Sequence, residues 1–202
     1  MLFHYSSKCR NGTTNISCKL TEYYIYYYII VYIFWKKEKN KRLIMMAQEK
    51  YMIRPAYRNE WDDAMALAWK TFMQFEAQDY TKEGIQSFQN FISDNILYRM
   101  FIMGGYQLFG AYDNDKIIGI ISLRNETHIS LLFVDASYHK QGIGRALIQY
   151  VSNYLLTEMG KNYLTVNAAP YAIGFYHQCG FRDLGPEETN DGIRYTPMKL
   201  FL

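Results

Sequence analysis

The chain has 202 residues, half of them hydrophobic and 17% aromatic, which is enough for one domain with a sizeable core. The net charge of +3 hides an asymmetry, because residues 1–44 carry +6 and residues 45–202 carry −3, so the mildly acidic domain excludes a nucleic-acid surface. The cysteines, at positions 9, 18 and 179, match neither a disulfide framework nor a zinc site, so we expect no metal and a reducing, cytoplasmic location.

The N-terminal segment, residues 1–46, differs in composition from the rest. An apolar, tyrosine-rich run from Tyr23 to Trp35 is followed by a basic cluster at 36–42. The run is shorter than the roughly 20 residues that span a bilayer, so membrane association through residues 20–42 is not favoured but stays open. We expect residues 1–46 to lie outside the fold, either as a peripheral segment or because translation begins at Met45-Met46. The domain is expected at 47–202.

The first half of the domain reads as a strand followed by helices. Tyr51–Tyr57 is a strand candidate, and Pro55 suggests an edge position. Asn59 is expected to cap a helix whose apolar residues recur at three- and four-residue steps as far as Phe75. Thr81 is expected to cap a second amphipathic helix that extends to Ile96.

The second half predicts a sheet with one crossover. A strand at His128–Val134, a helix at Gly142–Met159 and a strand at Tyr163–Asn167 form a βαβ unit, which makes its two strands parallel. The fold class is therefore mixed α/β (α+β), a mostly antiparallel sheet with one parallel crossover and helices on both faces. The other predicted strands are Tyr106–Tyr112, Lys116–Leu123, Phe181–Leu184 and Ile193–Leu200, and a short helix between Pro170 and Gly180 precedes the last two.

A glycine-rich turn, Gln141-Gly142-Ile143-Gly144-Arg145-Ala146, leads from the strand ending at Val134 into the helix. Free backbone N–H groups and the helix dipole favour an anion at such a point, and glycines let a diphosphate approach the backbone. A phosphate-binding P-loop would need Lys-Ser/Thr after Gly144, and a dinucleotide fingerprint would need a small residue at Leu147. The remaining alternative is that the glycines only shape the turn.

The turn resembles motif A of the GNAT superfamily of N-acetyltransferases, Gln/Arg-x-x-Gly-x-Gly/Ala after a strand ending in Val. The family's second motif is also matched, by Asn167 at the end of the next strand and by Phe175-Tyr176-His177-Gln178-Cys179-Gly180-Phe181 in the helix that follows. The resemblance covers about residues 52–200. It implies a GNAT-like fold and acetyl-CoA as the cosubstrate.

The resemblance also implies roles for individual residues. The backbone of Leu132, Phe133 and Val134 would bind the pantetheine arm, and Asn167 would bond it from the other side. Gln141, Gly142, Ile143, Gly144, Arg145 and Ala146 would hold the diphosphate. Tyr176 would be the general acid that protonates the departing thiolate, and Cys179 is a poor nucleophile candidate because the motif accepts any residue there.

The general base and the acceptor are less well indicated. His128 is the candidate base, since histidine titrates near neutrality, and Glu76, Asp79 and Glu126 are its rivals. Glu76 and Asp79 could instead attract a cationic substrate.

The expected function is transfer of an acetyl group to a primary amine of a small molecule or peptide by direct attack. The alternative is a non-catalytic acyl-CoA-binding sensor. The oligomeric state stays open, a homodimer included.

Overall fold

A computed structural model describes residues 16–202; residues 1–15, with Cys9, lie outside the described part. The chain divides into two compact units, Met1–Lys41 and Arg42–Leu202. The first helix, α1, runs from Ile16 to Lys50, and its apolar residues from Ile25 to Trp35 are exposed on every side. Within residues 16–202, no helix combines the length and the apolar character that crossing a membrane requires.

The second unit starts slightly before the predicted domain boundary at 46/47. Ala47 and Tyr51 are buried in the core of this unit, and Ile44 packs against them. The last turns of α1 therefore belong to the folded domain, because their apolar side chains have a core to pack on.

The second unit is an α/β fold around one mixed sheet. Its elements after α1 are β1 (Met52–Pro55), α2 (Trp61–Phe75), α3 (Lys82–Ile92), α4 (Asn95–Ile102), β2 (Gln107–Asp113), β3 (Lys116–Arg124), β4 (His128–Val134), α5 (Ile143–Thr157), β5 (Tyr163–Ala168), α6 (Ile173–Gln178), β6 (Arg182–Asp183), β7 (Glu188–Asn190) and β8 (Ile193–Phe201). The strands hydrogen-bond in the order β1-β2-β3-β4-β5-β8-β6, with β7 paired to β8, and every pair is antiparallel except β4 with β5.

Helices cover both faces of the sheet, as the sequence predicts. Neighbouring β-strand residues point to opposite faces, so Ile121 packs with α5 on one face while Ile120 packs with α2 on the other. The α5 face is aliphatic around Leu147, whereas the α2 face contains many stacked aromatic rings. The fold prediction is confirmed, including the parallel β4–β5 pair.

Two helix boundaries differ from the sequence prediction. Asn59 does not cap α2: a short 3-10 turn, Arg58–Glu60, precedes the helix, and the Glu60 carboxylate accepts a hydrogen bond from Tyr57 N–H at 2.6 Å. The predicted second helix is two helices, because the Asp94 side chain accepts from Ile96 N–H and starts α4. Thr81 caps α3 as predicted, accepting from Gly84 N–H at 3.1 Å.

Candidate active site

The parallel strands β4 and β5 separate after their first residues. Only two residue pairs, His128 with Thr165 and Ile129 with Val166, form the ladder. Beyond them β4 continues beside β3 alone, so the edge of β4 that faces β5 is left open. An extended ligand can bond to such an edge as an added strand would.

Backbone alternation decides which β4 residues face this gap. Asp135 N–H donates to Ile118 O on the β3 side at 2.9 Å, so in the same register Phe133 also faces β3. The N–H and C=O groups of Leu132 and Val134 point into the gap. Val134 O accepts from His139 Nε2 at 2.8 Å. The predicted backbone role therefore fits the geometry of Leu132 and Val134, whereas the N–H and C=O groups of Phe133 face β3.

The turn before α5 has the geometry of an anion site. Gly142 has a φ of +86°, in the left-handed region that favours glycine. Ala146 N–H makes the first bond of the helix, to Gly142 O at 2.9 Å. The N–H groups of Ile143, Gly144 and Arg145 precede that ladder and point out of the helix start. The Ala146 N–H is therefore already bonded within the helix, and its predicted contact with the diphosphate stays a prediction.

Other contacts of the turn hold it in place. Tyr51 Oη donates to Gln141 Oε1 at 2.7 Å, which ties the turn to the chain before β1. A Cβ on Gly144 would lie 3.1 Å from Phe175 Cζ, so this glycine is also needed for packing against α6. A Cβ on Gly142 would lie 2.6 Å from Leu43 O. Both glycines thus have a structural reason in addition to any ligand.

A cavity of about 540 Å³, the turn cavity, extends from this turn along the β4 gap. Leu43, which lies close to Gly142, is not among the residues that line this cavity, so it does not separate the turn from the cavity. Arg145 lines the cavity, and its Nε is buried without a hydrogen-bond partner among residues 16–202. The Nη2 of the same guanidinium donates to Gln178 Oε1 at 2.7 Å. Phe75 also lines the cavity, and its ring stacks on the rings of His139 and Tyr171 at centroid distances of 4.8 and 5.5 Å. Free N–H groups at a helix start beside an arginine suit a diphosphate.

A second cavity of about 370 Å³, the aromatic cavity, lies on the other side of the gap. It is enclosed by side chains of α2, α3, β4, β5 and the β7–β8 hairpin. Five residues line both cavities, so the cavities meet there: Glu76, Leu132, Phe133, Ala172 and Tyr176.

Glu76 is the carboxylate at this junction. It follows the last residue of α2 and is half-buried. Burial, and then the negative charge of Asp79, raise the pKa of Glu76 to about 7. Asp79 itself does not line either cavity. Of the two predicted substrate-binding carboxylates, the structure therefore brings only Glu76 to the junction, and its charge changes near neutral pH.

Tyr176 is the second titratable group at the junction. Tyr176 lies in α6, and its side chain is buried. Its ring packs against those of Phe175 and Phe181, at centroid distances of 5.3 and 5.1 Å. Burial, and then the charge of Glu76, hold the pKa of Tyr176 well above its usual range. The phenol therefore keeps its proton at neutral pH, as a proton donor must before it acts.

His128 lines the aromatic cavity but is not among the residues shared with the turn cavity. Its Nδ1 hydrogen-bonds with Thr165 Oγ1 at 3.0 Å. Burial, and then the positive charge of Arg124, lower the pKa of His128 to about 4. An imidazole with this pKa is neutral at pH 7 but is a weaker base than Glu76.

The remaining predicted residues divide between the cavities and the surface. Asn167 is exposed and lines the aromatic cavity, not the turn cavity, so its pantetheine contact stays a prediction. Glu126 is paired with Lys161 at 2.6 Å and does not line either cavity. Burial raises the pKa of the Cys179 thiol to about 11, which makes it a poor nucleophile.

Sequence reasoning missed the ring lining of the aromatic cavity and the cation at its edge, Arg124. Phe72 and Phe88 fit the apolar faces of the two predicted helices. Periodicity identifies the buried face of a helix but does not show whether a cavity lies beneath that face. The signal that could have found them was the concentration of aromatic residues within α2 and α3.

The family model described as an acetyltransferase (GNAT) domain matches residues 76–202. The match covers more than half of the chain and includes the turn, the β4 gap, Glu76 and Tyr176. The chain belongs to the GNAT acetyltransferase family. The family resemblance drawn from the two sequence motifs is thereby confirmed.

Three relatives illustrate the extent of the similarity. Peptidyl-lysine N-acetyltransferase YjaB of Salmonella typhimurium is 33% identical over 79 residues, which are 39% of this chain and 52% of the relative. The chain thus spans about half the length of that curated relative. A GCN5-related N-acetyltransferase from Rhodopseudomonas palustris shares the fold with a TM-score of 0.64 and 23% identity, over 74% of this chain and 94% of that one. PaiA N-acetyltransferase from Thermoplasma acidophilum, solved with coenzyme A, has a TM-score of 0.60 and 18% identity, over 75% and 99%.

Proposed function

We propose that this protein transfers the acetyl group of acetyl-CoA to a primary amine by direct attack of the amine on the thioester. The observation that carries the proposal is the junction of the two cavities, where a carboxylate with a pKa of about 7 and a protonated phenol lie together. A thioester entering from the turn cavity and an amine entering from the aromatic cavity would meet there.

The residues of the turn cavity fit coenzyme A. The N–H groups of Ile143, Gly144 and Arg145 would hold the diphosphate, and Arg145 would add its charge. The backbone of Leu132 and Val134 would bond to the pantetheine arm along the β4 edge. Val134 O is shared with His139, so pantetheine would compete with that side chain for the carbonyl.

Glu76 is the general base of the proposal. An amine with a pKa near that of lysine, about 10.4, is mostly an ammonium ion at pH 7 and has no lone pair for attack. The ionised Glu76 carboxylate would take one proton from it, and the neutral amine would then attack the carbonyl carbon. His128, with its pKa near 4, would take this proton less readily.

Tyr176 is the proposed donor to the leaving thiolate. The charge of Glu76 is one cause of the raised pKa of Tyr176, so protonation of Glu76 removes that contribution. The phenol therefore becomes a better acid after the amine has given up its proton, when the thiolate departs. As the C–S bond breaks, the thiolate takes this proton to leave as free coenzyme A, and the second proton of the acylated nitrogen returns to the Tyr176 phenolate.

Acetyl-CoA binding and turnover test the proposal separately. The full-length chain should show a raised melting temperature with acetyl-CoA and should release free thiol when a set of primary amines is supplied. Failure to bind acetyl-CoA would refute the proposal. Binding without thiol release over the whole set of amines would instead favour the non-catalytic sensor.

A further inference from the structure

We propose that the acceptor is a primary monoamine attached by a short linker to a flat apolar ring, an arylalkylamine, and not a polyamine or a lysine in a peptide. The inference rests on the proposed function and names the class of amine that the aromatic cavity takes. It is carried by three features of that cavity: its ring-lined walls, its distribution of charge and the close contact between two of its walls.

The walls of the aromatic cavity are built from rings that support each other. Phe72 and Phe88 stack at a centroid distance of 4.0 Å, and Tyr80 stacks on Phe72 at 5.5 Å. Phe133 lies 5.8 Å from Phe88, tilted by 60°. All four line the cavity, together with Phe91 and Tyr195.

Such walls favour a ring as the guest. The rings are fixed by their mutual contacts, so little side-chain freedom is lost when a ligand binds. Each favourable aromatic pair adds about 0.5–1.5 kcal/mol beyond area burial, and a flat ring can form several. A cavity of about 370 Å³ lies at the small end of ligand sites and suits a molecule of this size.

The charge distribution provides for one ammonium group. Glu76 is the carboxylate at the inner end of the cavity, where the amine must meet the thioester. Asp191 is the other carboxylate among the lining residues, and it is exposed, as is the cation Arg124. The aromatic residues of the lining are accompanied by no further carboxylate. A second ammonium placed there would be desolvated without a partner, which costs several kcal/mol.

Two walls of the cavity are held together by a close backbone contact. The turn of the β7–β8 hairpin packs on the first turn of α3, so closely that a Cβ on Gly192 would lie 2.7 Å from Gly84 N. Gly84 is buried and Gly192 has a φ of +76°. Side chains of α3 and of β8 both line the cavity, so this contact fixes their spacing, and about 370 Å³ between fixed walls suits a small molecule better than an extended chain.

A comparison of three amines on the full-length chain tests the inference. Thiol release is measured with 2-phenylethylamine, spermidine and a lysine-containing peptide at saturating acetyl-CoA, and direct binding of 2-phenylethylamine is measured by calorimetry. We expect kcat/KM for 2-phenylethylamine to exceed both others at least tenfold, and calorimetry to detect its binding.

A matched pair of variants links the preference to the ring lining. Phe91 lines the cavity, whereas Phe101 packs on the same core cluster but does not line it. Phe91→Leu should raise KM for 2-phenylethylamine about fivefold or more and leave KM for acetyl-CoA unchanged. Phe101→Leu, which removes a ring of similar burial outside the cavity, should leave both KM values near those of the parent.

Each contrary outcome has a distinct meaning. A preference for spermidine or the peptide would overturn the acceptor class while leaving acetyl transfer intact. Equal KM effects of the two Phe variants would remove the ring lining as its cause. Turnover of none of the three amines, with acetyl-CoA still bound, would overturn the inference together with the proposed function.

Discussion

Replacing Glu76 by Gln tests the proposed base most directly. The side chain keeps its size and its place at the junction of the two cavities but can no longer accept a proton. General-base catalysis contributes about 10²- to 10⁴-fold, so we expect kcat/KM at pH 8 to fall by about that factor. The KM for acetyl-CoA should change little, because Glu76 does not belong to the turn that is proposed to hold the diphosphate.

The pH dependence gives a sharper signature than the loss of rate. With a pKa of about 7, Glu76 is ionised in about one tenth of the molecules at pH 6 and about nine tenths at pH 8. An amine with a pKa near 10.4 becomes about a hundredfold more abundant as the free base over the same interval. Because ionised Glu76 takes its proton from the ammonium ion, which is the main form of the amine throughout, the parent should gain only about tenfold in kcat/KM between pH 6 and 8 and then level off. Glu76→Gln depends on free amine from solution and should gain about a hundredfold without levelling off.

The assay is thiol release with 2-phenylethylamine under subsaturating amine, at several pH values. Glu126→Gln is the matched control, since Glu126 is a carboxylate held in a surface ion pair with Lys161. Asp79→Asn should shift the inflection to lower pH, because the charge of Asp79 contributes to the raised pKa of Glu76. His128→Gln should leave the inflection in place.

Two results would refute the reasoning. One is a Glu76→Gln profile with the same tenfold rise and the same inflection as the parent, which would mean that another group titrates. The other is loss of the inflection in His128→Gln with its retention in Glu76→Gln, which would make the imidazole the base.

Three further variants test the donor side and the support of the site. Tyr176→Phe should lower kcat by roughly tenfold to a hundredfold and leave the acetyl-CoA dissociation constant within about twofold, measured by calorimetry. Gly142→Ala should weaken acetyl-CoA binding at least tenfold, because its Cβ is both strained and crowded; Gly160→Ala, with a φ of +61° and nothing within 4 Å, controls for strain alone. Asp135→Asn should cost about 1–2 kcal/mol in urea unfolding at pH 7. Its bond to Lys70 lowers the pKa of Asp135 to about 2, so this stability is present above pH 4 and is lost as the pH falls through 2. An unchanged unfolding free energy in that variant, or equal binding losses in the two glycine variants, would contradict these assignments.

The sequence was most informative where structure is decided locally. The strand His128–Val134 has the bounds that the sequence predicts, and the helix after the glycine turn begins at Ile143, one residue after its predicted start, since strand-to-helix turns depend on residues close in the chain.

Predictions that depended on competition between neighbouring residues were less accurate. The sequence favours Asn59 as the cap of α2, but no side chain caps this helix, and Glu60 instead accepts from Tyr57 N–H at the start of the preceding 3-10 turn. Arg54 holds Glu60 at 2.7 Å, and Tyr112 donates to the same carboxylate at 2.9 Å. These partners come from β1 and β2, so they could not be identified from the residues next to the start of the helix.

The sequence by itself therefore determined the family, the fold class and the donor turn, because each depends on motifs within a short stretch of chain. Tertiary structure decided which carboxylate stands at the junction of the two cavities. Glu76 has an ordinary pKa in an unfolded chain, and only burial beside Asp79 raises it to about 7. The aromatic cavity is decided in the same way, because its rings come from α2, α3 and β4 and enclose a space only after these elements pack.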